Sequence, residues 1–85
     1  MNLQEQFDAA VANSKTFSEK PSNDTLLQLY SLYKQATIGN NTQPEPENPF
    51  DFVAKAKYNA WAALNGTTLE DAQQQYITLV NNLQG

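Results

Sequence analysis

The stretch Tyr30 to Gly66, YSLYKQATIGNNTQPEPENPFDFVAKAKYNAWAALNG, holds the features that decide the fold. It reads as helix, break, helix. Tyr30, Tyr33 and Thr37 continue a stripe that begins at Leu26 and Leu29, spaced three and four residues apart, and Gly39 supplies a C-terminal stop. Pro44, Pro46 and Pro49 follow, a density that neither a helix nor a central strand tolerates, so residues 40–50 form a long loop. Asp51 reads as the N-cap of a third helix holding Phe52, Ala56, Ala60, Trp61 and Leu64, which Asn65-Gly66 closes. Asn-Gly is also a hairpin signal, but its flanks here have helical period.

Outward from this stretch the same chemistry repeats. Before it, Leu3, Phe7, Ala10, Val11 and Ser14 give one face of a first helix that runs to about Thr16. Pro21 then prevents continuation, and Ser22 or Asn23 caps the second helix. After it, Thr68 and Asp71 form a capping box for a fourth helix with the stripe Leu69, Ala72, Tyr76, Leu79, Val80 and Leu83. The expected fold class is all-α. Four amphipathic helices with one long connection describe a four-helix bundle containing at least one crossover.

Residues 1–85 suffice for a single domain, and such a chain buries only somewhat over ~60% of the surface it exposes when unfolded. The core is therefore thin, and its aromatic residues must either pack in it or line a ligand site. The chain contains no cysteine and no histidine. That removes disulfides, thiolate nucleophiles, the commonest general base and the usual ligands of transition metals, so an enzyme is not expected. A hydroxyl nucleophile would need a lysine or carboxylate base, and no local motif supplies one. Five lysines against nine acidic residues give a net charge of −4, which disfavours nucleic acid as a partner and makes any anionic ligand depend on a local basic island. The polar start MNLQEQFDAAV lacks signal-peptide character and no apolar run is long enough to span a bilayer, so a soluble, cytoplasmic protein is expected. Asn23, Asn40 and Asn65 each begin an Asn-x-Thr triplet, and Pro46 to Pro49 matches PxxP; both patterns are loose enough to arise by chance.

The chemistry-bearing cluster lies on the second helix. Tyr30, Tyr33 and Lys34 stand at i, i+3 and i+4 and share one face. Two phenols and an ammonium suit a phosphate, with rings left to pack against a planar base. On the third helix Lys57 is one turn before Trp61, and the fourth adds Tyr76. Alone, such a stripe is more often core than ligand site, and helical lysines are usually solvated. Residue identity and order tip the balance.

YSLYKQATIGN, a proline-bearing loop, DFVAKAKYNAWAALNGTT and a final QQYITLV resemble the acyl-CoA-binding protein family, in order and separation, from Phe7 to Leu83. The resemblance implies an up-down-down-up bundle, with the long loop between helices two and three, that binds medium- to long-chain acyl-CoA thioesters without covalent chemistry. It implies that Tyr30, Lys34 and Lys57 hold the 3′-phosphate of the ribose. It places Tyr33 near the adenine, Lys15 at the nucleotide edge, Tyr76 close to the ligand, and Phe7, Ala10 and Leu27 along the acyl groove. No cofactor is implied; acyl-CoA is the ligand. The implied role is transport and buffering in fatty acid metabolism by a cytoplasmic monomer that delivers its ligand to acyl-CoA-using enzymes. Burial of roughly 0.8 kcal/mol per methylene bounds the gain from about fourteen buried carbons near 11 kcal/mol before ordering costs.

Four departures from the family pattern stand out. Tyr58 replaces a tryptophan, Val53 takes the place of a lysine that often follows Asp-Phe, Asn40 replaces an aspartate, and the loop is one residue longer. The missing lysine at Val53, together with the net charge of −4, motivates an alternative: a helical protein-interaction module of the same fold that has lost acyl-CoA affinity. A thioesterase is the third reading, and ligand turnover distinguishes it.

Overall fold

The computed structural model describes residues 2–84, and among them the regular elements are four helices: α1 (Leu3–Asn13), α2 (Asn23–Thr37), α3 (Phe52–Ala62) and α4 (Leu69–Gln84). Three of the helix starts expected from sequence carry their cap. Ser22 Oγ accepts from Thr25 N–H, Asp51 Oδ1 from Ala54 N–H, and Thr68 Oγ1 from Asp71 N–H. The fourth is Asn2, whose Oδ1 accepts from Glu5 N–H. Each satisfies one of the amide groups that a helix start leaves unpaired. Gly39 and Gly66, at φ 98° and 93°, occupy the left-handed region where a side chain is strained, and they terminate the second helix and the turn after the third.

The first helix is shorter than its periodicity predicts. It ends at Asn13, because the chain tightens into i to i+3 bonds from Lys15 N–H to Ala12 and from Thr16 N–H to Asn13. The Ser14 and Thr16 hydroxyls donate to the carbonyls of Val11 and Asn13, and so satisfy groups that a further helical turn would have used.

Contacts between elements fix the topology. Gln73 Nε2 of α4 donates to Gln4 Oε1 near the start of α1, and Thr16 and Phe17, just past the end of α1, share a cleft with Leu83 and Gln84. These two helices therefore run the same way. At the end of α2, Gln35 Nε2 reaches the Thr67 carbonyl just before α4, so α2 and α4 are antiparallel. Val53 shares a groove with Asn23 and Asp24 while the Trp61 indole N–H donates to the Gly39 carbonyl, so α2 and α3 are parallel. The result is up-down-down-up, as expected. The helices touch in the order α1, α4, α2, α3, and the molecule is a slab of 41 × 29 × 15 Å.

This row explains where the inward faces differ from the sequence reading. Each of α2 and α4 has a helix on both sides and buries more than one stripe. On α2 the buried residues are Leu29, Ser31, Leu32, Gln35 and Ala36, whereas Leu26 and Tyr33 of the expected stripe are 36% and 39% exposed. Fully buried Gln35 is held through its amide N–H groups, which donate to Asn40 Oδ1 and the Thr67 carbonyl, while its Oε1 has no hydrogen-bond partner among the described residues. On α4, Ile77 joins Ala72, Tyr76 and Val80 in the core, and Leu69 at the helix start is left exposed. On α3, Trp61 is the buried residue, and Phe52 is exposed.

Candidate functional site

Tyr30, half-buried on α2, stands where three grooves meet. The first lies between α2 and α3 and is lined by Leu26, Leu27, Val53 and Ala56, with Lys57 at its Tyr30 end. The second, over α1, α2 and α4, is lined by Val11, Ser14, Lys15, Leu26, Tyr33 and Tyr76. The third runs beneath the proline-bearing loop, between Pro44 and Pro46 on one side and Tyr58 and Trp61 on the other. Tyr30 lines all three.

The lysines expected to act together do converge. Lys34 Nζ lies 5.7 Å from the Tyr30 ring centroid, and Lys57 Nζ, from the neighbouring helix, lies 5.2 Å from the same centroid. Lys34 Nζ is also 5.7 Å from the Trp61 ring. These are cation–π distances, with a phenol and an indole holding two ammoniums that would otherwise disperse in solvent. Two like charges around one ring repel unless an anion sits between them, so the arrangement suits a phosphate. It rests on the parallel pairing of α2 and α3: Trp61, 2% exposed, is anchored by its indole N–H to the Gly39 carbonyl at 2.8 Å, and this sets the register of the two helices.

The second groove has an aromatic floor. The rings of Phe7 and Tyr33 stack with centroids 6.1 Å apart, and Phe7 meets Tyr76 edge-on at 5.2 Å. Tyr76 is 3% exposed. Its hydroxyl donates to Ser14 Oγ at 3.0 Å, and Ser14 Oγ donates in turn to the Val11 carbonyl at 2.7 Å. Burial pushes the Tyr76 phenol above its ordinary range; the hydrogen bond to Ser14 opposes that shift and neighbouring Tyr33 adds to it.

Of the expected ligand residues, the structure gathers Tyr30, Lys34 and Lys57 at one point and puts Lys15, Tyr33 and Tyr76 along the second groove. Leu27 lines the first groove. Phe7 and Ala10 are buried at 2% and 4% and belong to the core; Phe7 backs the second groove through its rings' contacts and does not line the first. Sequence reasoning passed over Ala56, which neighbours Lys57 and lines the first groove, and Trp61 as a partner of Lys34. The four-residue spacing of Lys57 and Trp61 pointed at the latter, but which lysine meets the indole depends on helix pairing. Among the described residues no group of carboxylates could hold a metal ion, and no helix is long and apolar enough to cross a membrane.

The fold and site together define a four-helix ligand-binding domain with a cationic, aromatic junction beside an apolar groove. The family model described as Acyl CoA binding protein matches residues 4–80. Acyl-CoA-binding protein homolog 1 of Caenorhabditis elegans is 48% identical over 77 residues, spanning 91% of this chain and 88% of that protein. The acyl-CoA-binding protein of Dictyostelium discoideum is 51% identical over 77 residues, 91% of this chain and 90% of its own. The crystal structure of Oryza sativa acyl-CoA-binding protein 2 superposes with a TM-score of 0.90 at 40% identity, covering 96% of this chain and 90% of that one. The chain belongs to the acyl-CoA-binding protein family.

Proposed function

We propose that this protein binds long-chain acyl-CoA non-covalently and carries it, with the 3′-phosphate of the ribose held between Lys34 and Lys57 over Tyr30. The observation that supports this reading most directly is the meeting of ammoniums from two neighbouring helices on one phenol ring, at the end of an apolar groove. In it, Tyr33 and Tyr76 flank the nucleotide with Lys15 at its edge, Leu27 and its neighbours take the hydrocarbon, and Phe7 and Ala10 support the site from the core. The protein acts as a carrier and not as a catalyst. The chain has neither histidine nor cysteine, and the hydroxyls of Tyr76 and Ser14 are committed to each other and to a backbone carbonyl. A cytoplasmic monomer serving acyl-CoA-using enzymes is the setting this role implies.

Titration of the protein with a sixteen-carbon acyl-CoA, followed by Trp61 fluorescence and by calorimetric heat, tests the proposal. Trp61 reports because Lys34 sits over its ring and must shift toward a bound phosphate. A saturable response of about 1:1 with intact thioester after long incubation is expected. No saturation would leave the interaction-module reading, and thioester loss would point to a hydrolase.

A further inference from the structure

The groove between α2 and α3 ends, away from Lys57, in apolar side chains that the folded protein leaves uncovered. Val53 lines this groove and is 65% exposed. Leu26, 36% exposed, and Leu27 line the same groove from α2, and Phe52, which precedes Val53, is 73% exposed. Because α2 and α3 run parallel, this end lies beside the capped start of α2, where Asn23 and Asp24 complete the lining. Val53 and Lys57 are four residues apart and share a face of α3. A ligand whose phosphate meets Lys57 therefore has Val53 about one helical turn away, ~6 Å along the axis.

The valine has no charge or donor to offer a phosphate. Its exposed surface gains only when hydrocarbon covers it. We propose that Val53 is a specificity-determining residue that contacts the acyl hydrocarbon and widens the gap in affinity between acylated and free CoA. This rests on the reading that the groove binds acyl-CoA. Valine at this position weights recognition toward the lipid part of the ligand, whereas a lysine there would place a second ammonium one turn from Lys57 and weight it toward the nucleotide.

Calorimetric titration of the wild type, Val53→Asn and Val53→Lys with sixteen-carbon acyl-CoA and with free CoA tests the assignment. Burial of one methylene corresponds to about fourfold in affinity, and Val53→Asn is expected to weaken acyl-CoA binding by about that factor or more while leaving free CoA nearly unchanged. Val53→Lys is expected to strengthen free CoA and so narrow the gap from the other side. Because the position is exposed, both variants are expected to unfold near the wild-type temperature, and each reads the gap independently of the other. An equal change in both ligands, or none in either, overturns the role of Val53 while wild-type binding leaves the carrier reading in place. A wild type that binds no acyl-CoA overturns both.

Discussion

At the scale of single residues, the site depends on a few side chains whose contacts cross between helices. Lys34 and Lys57 come from different helices and share the Tyr30 ring, so each is expected to supply a charge-assisted contact that the other cannot replace. Lys34→Ala or Lys57→Ala should weaken acyl-CoA binding by about 1.5–3 kcal/mol and reduce the preference for CoA over dephospho-CoA. Calorimetry with both ligands checks this, and an equal loss for the two would remove the 3′-phosphate from the clamp. Tyr76 offers a different test. Its phenol is raised above the usual value of about 10, so in alkaline solution the unfolded chain loses this proton first. The stabilisation is fully present below that unfolded value and declines as pH rises through it toward the folded pKa. Tyr76→Phe should cost about 0.5–1.5 kcal/mol at neutral pH by removing the bond to Ser14, and should flatten the fall in stability above about pH 10. Denaturant unfolding across that range measures both effects.

At the scale of elements, starts and stops other than the end of α1 were legible in the sequence because they depend on local chemistry. Ser22, Asp51 and Thr68 cap as expected, and the prolines of residues 40–50 break the chain where they stand. Ser22→Ala is expected to destabilise the fold by about 1 kcal/mol, read as a lowered midpoint in thermal unfolding. The inward faces were less legible. Gln35 looks like a surface residue and is fully buried, since its partners, Asn40 Oδ1 and the Thr67 carbonyl, are set by tertiary structure. Asn40 Oδ1 also accepts from Gly66 N–H at 2.8 Å, so the departure from aspartate at this position keeps the acceptor it needs. Asn40→Ala should cost about 1–3 kcal/mol, because it strips an acceptor from a buried amide, whereas Asn40→Asp should hold or raise stability. Midpoints for the two variants moving in the same downward direction would contradict this role.

At the scale of the molecule, the topology and the meeting of Lys34 and Lys57 at one ring were legible only through the family resemblance. Periodicity places Tyr30, Tyr33 and Lys34 on one face of one helix, but it cannot bring Lys57 to the same ring, because that depends on which helices are neighbours and which way they run. For the same reason it separated neither the core role of Phe7 from a groove role nor Leu26 from the buried stripe. The order of the row has a mechanical consequence. Among the helices, α3 is held by α2 alone, while α4 is clasped on both sides. Backbone amides of α3 should therefore exchange their hydrogens through partial opening well before those of α4. A ligand gripped from both α2 and α3 ties down the end of the row that carries the site, so loading should slow deuterium uptake most in Phe52–Ala62, and this end helix doubles as a latch.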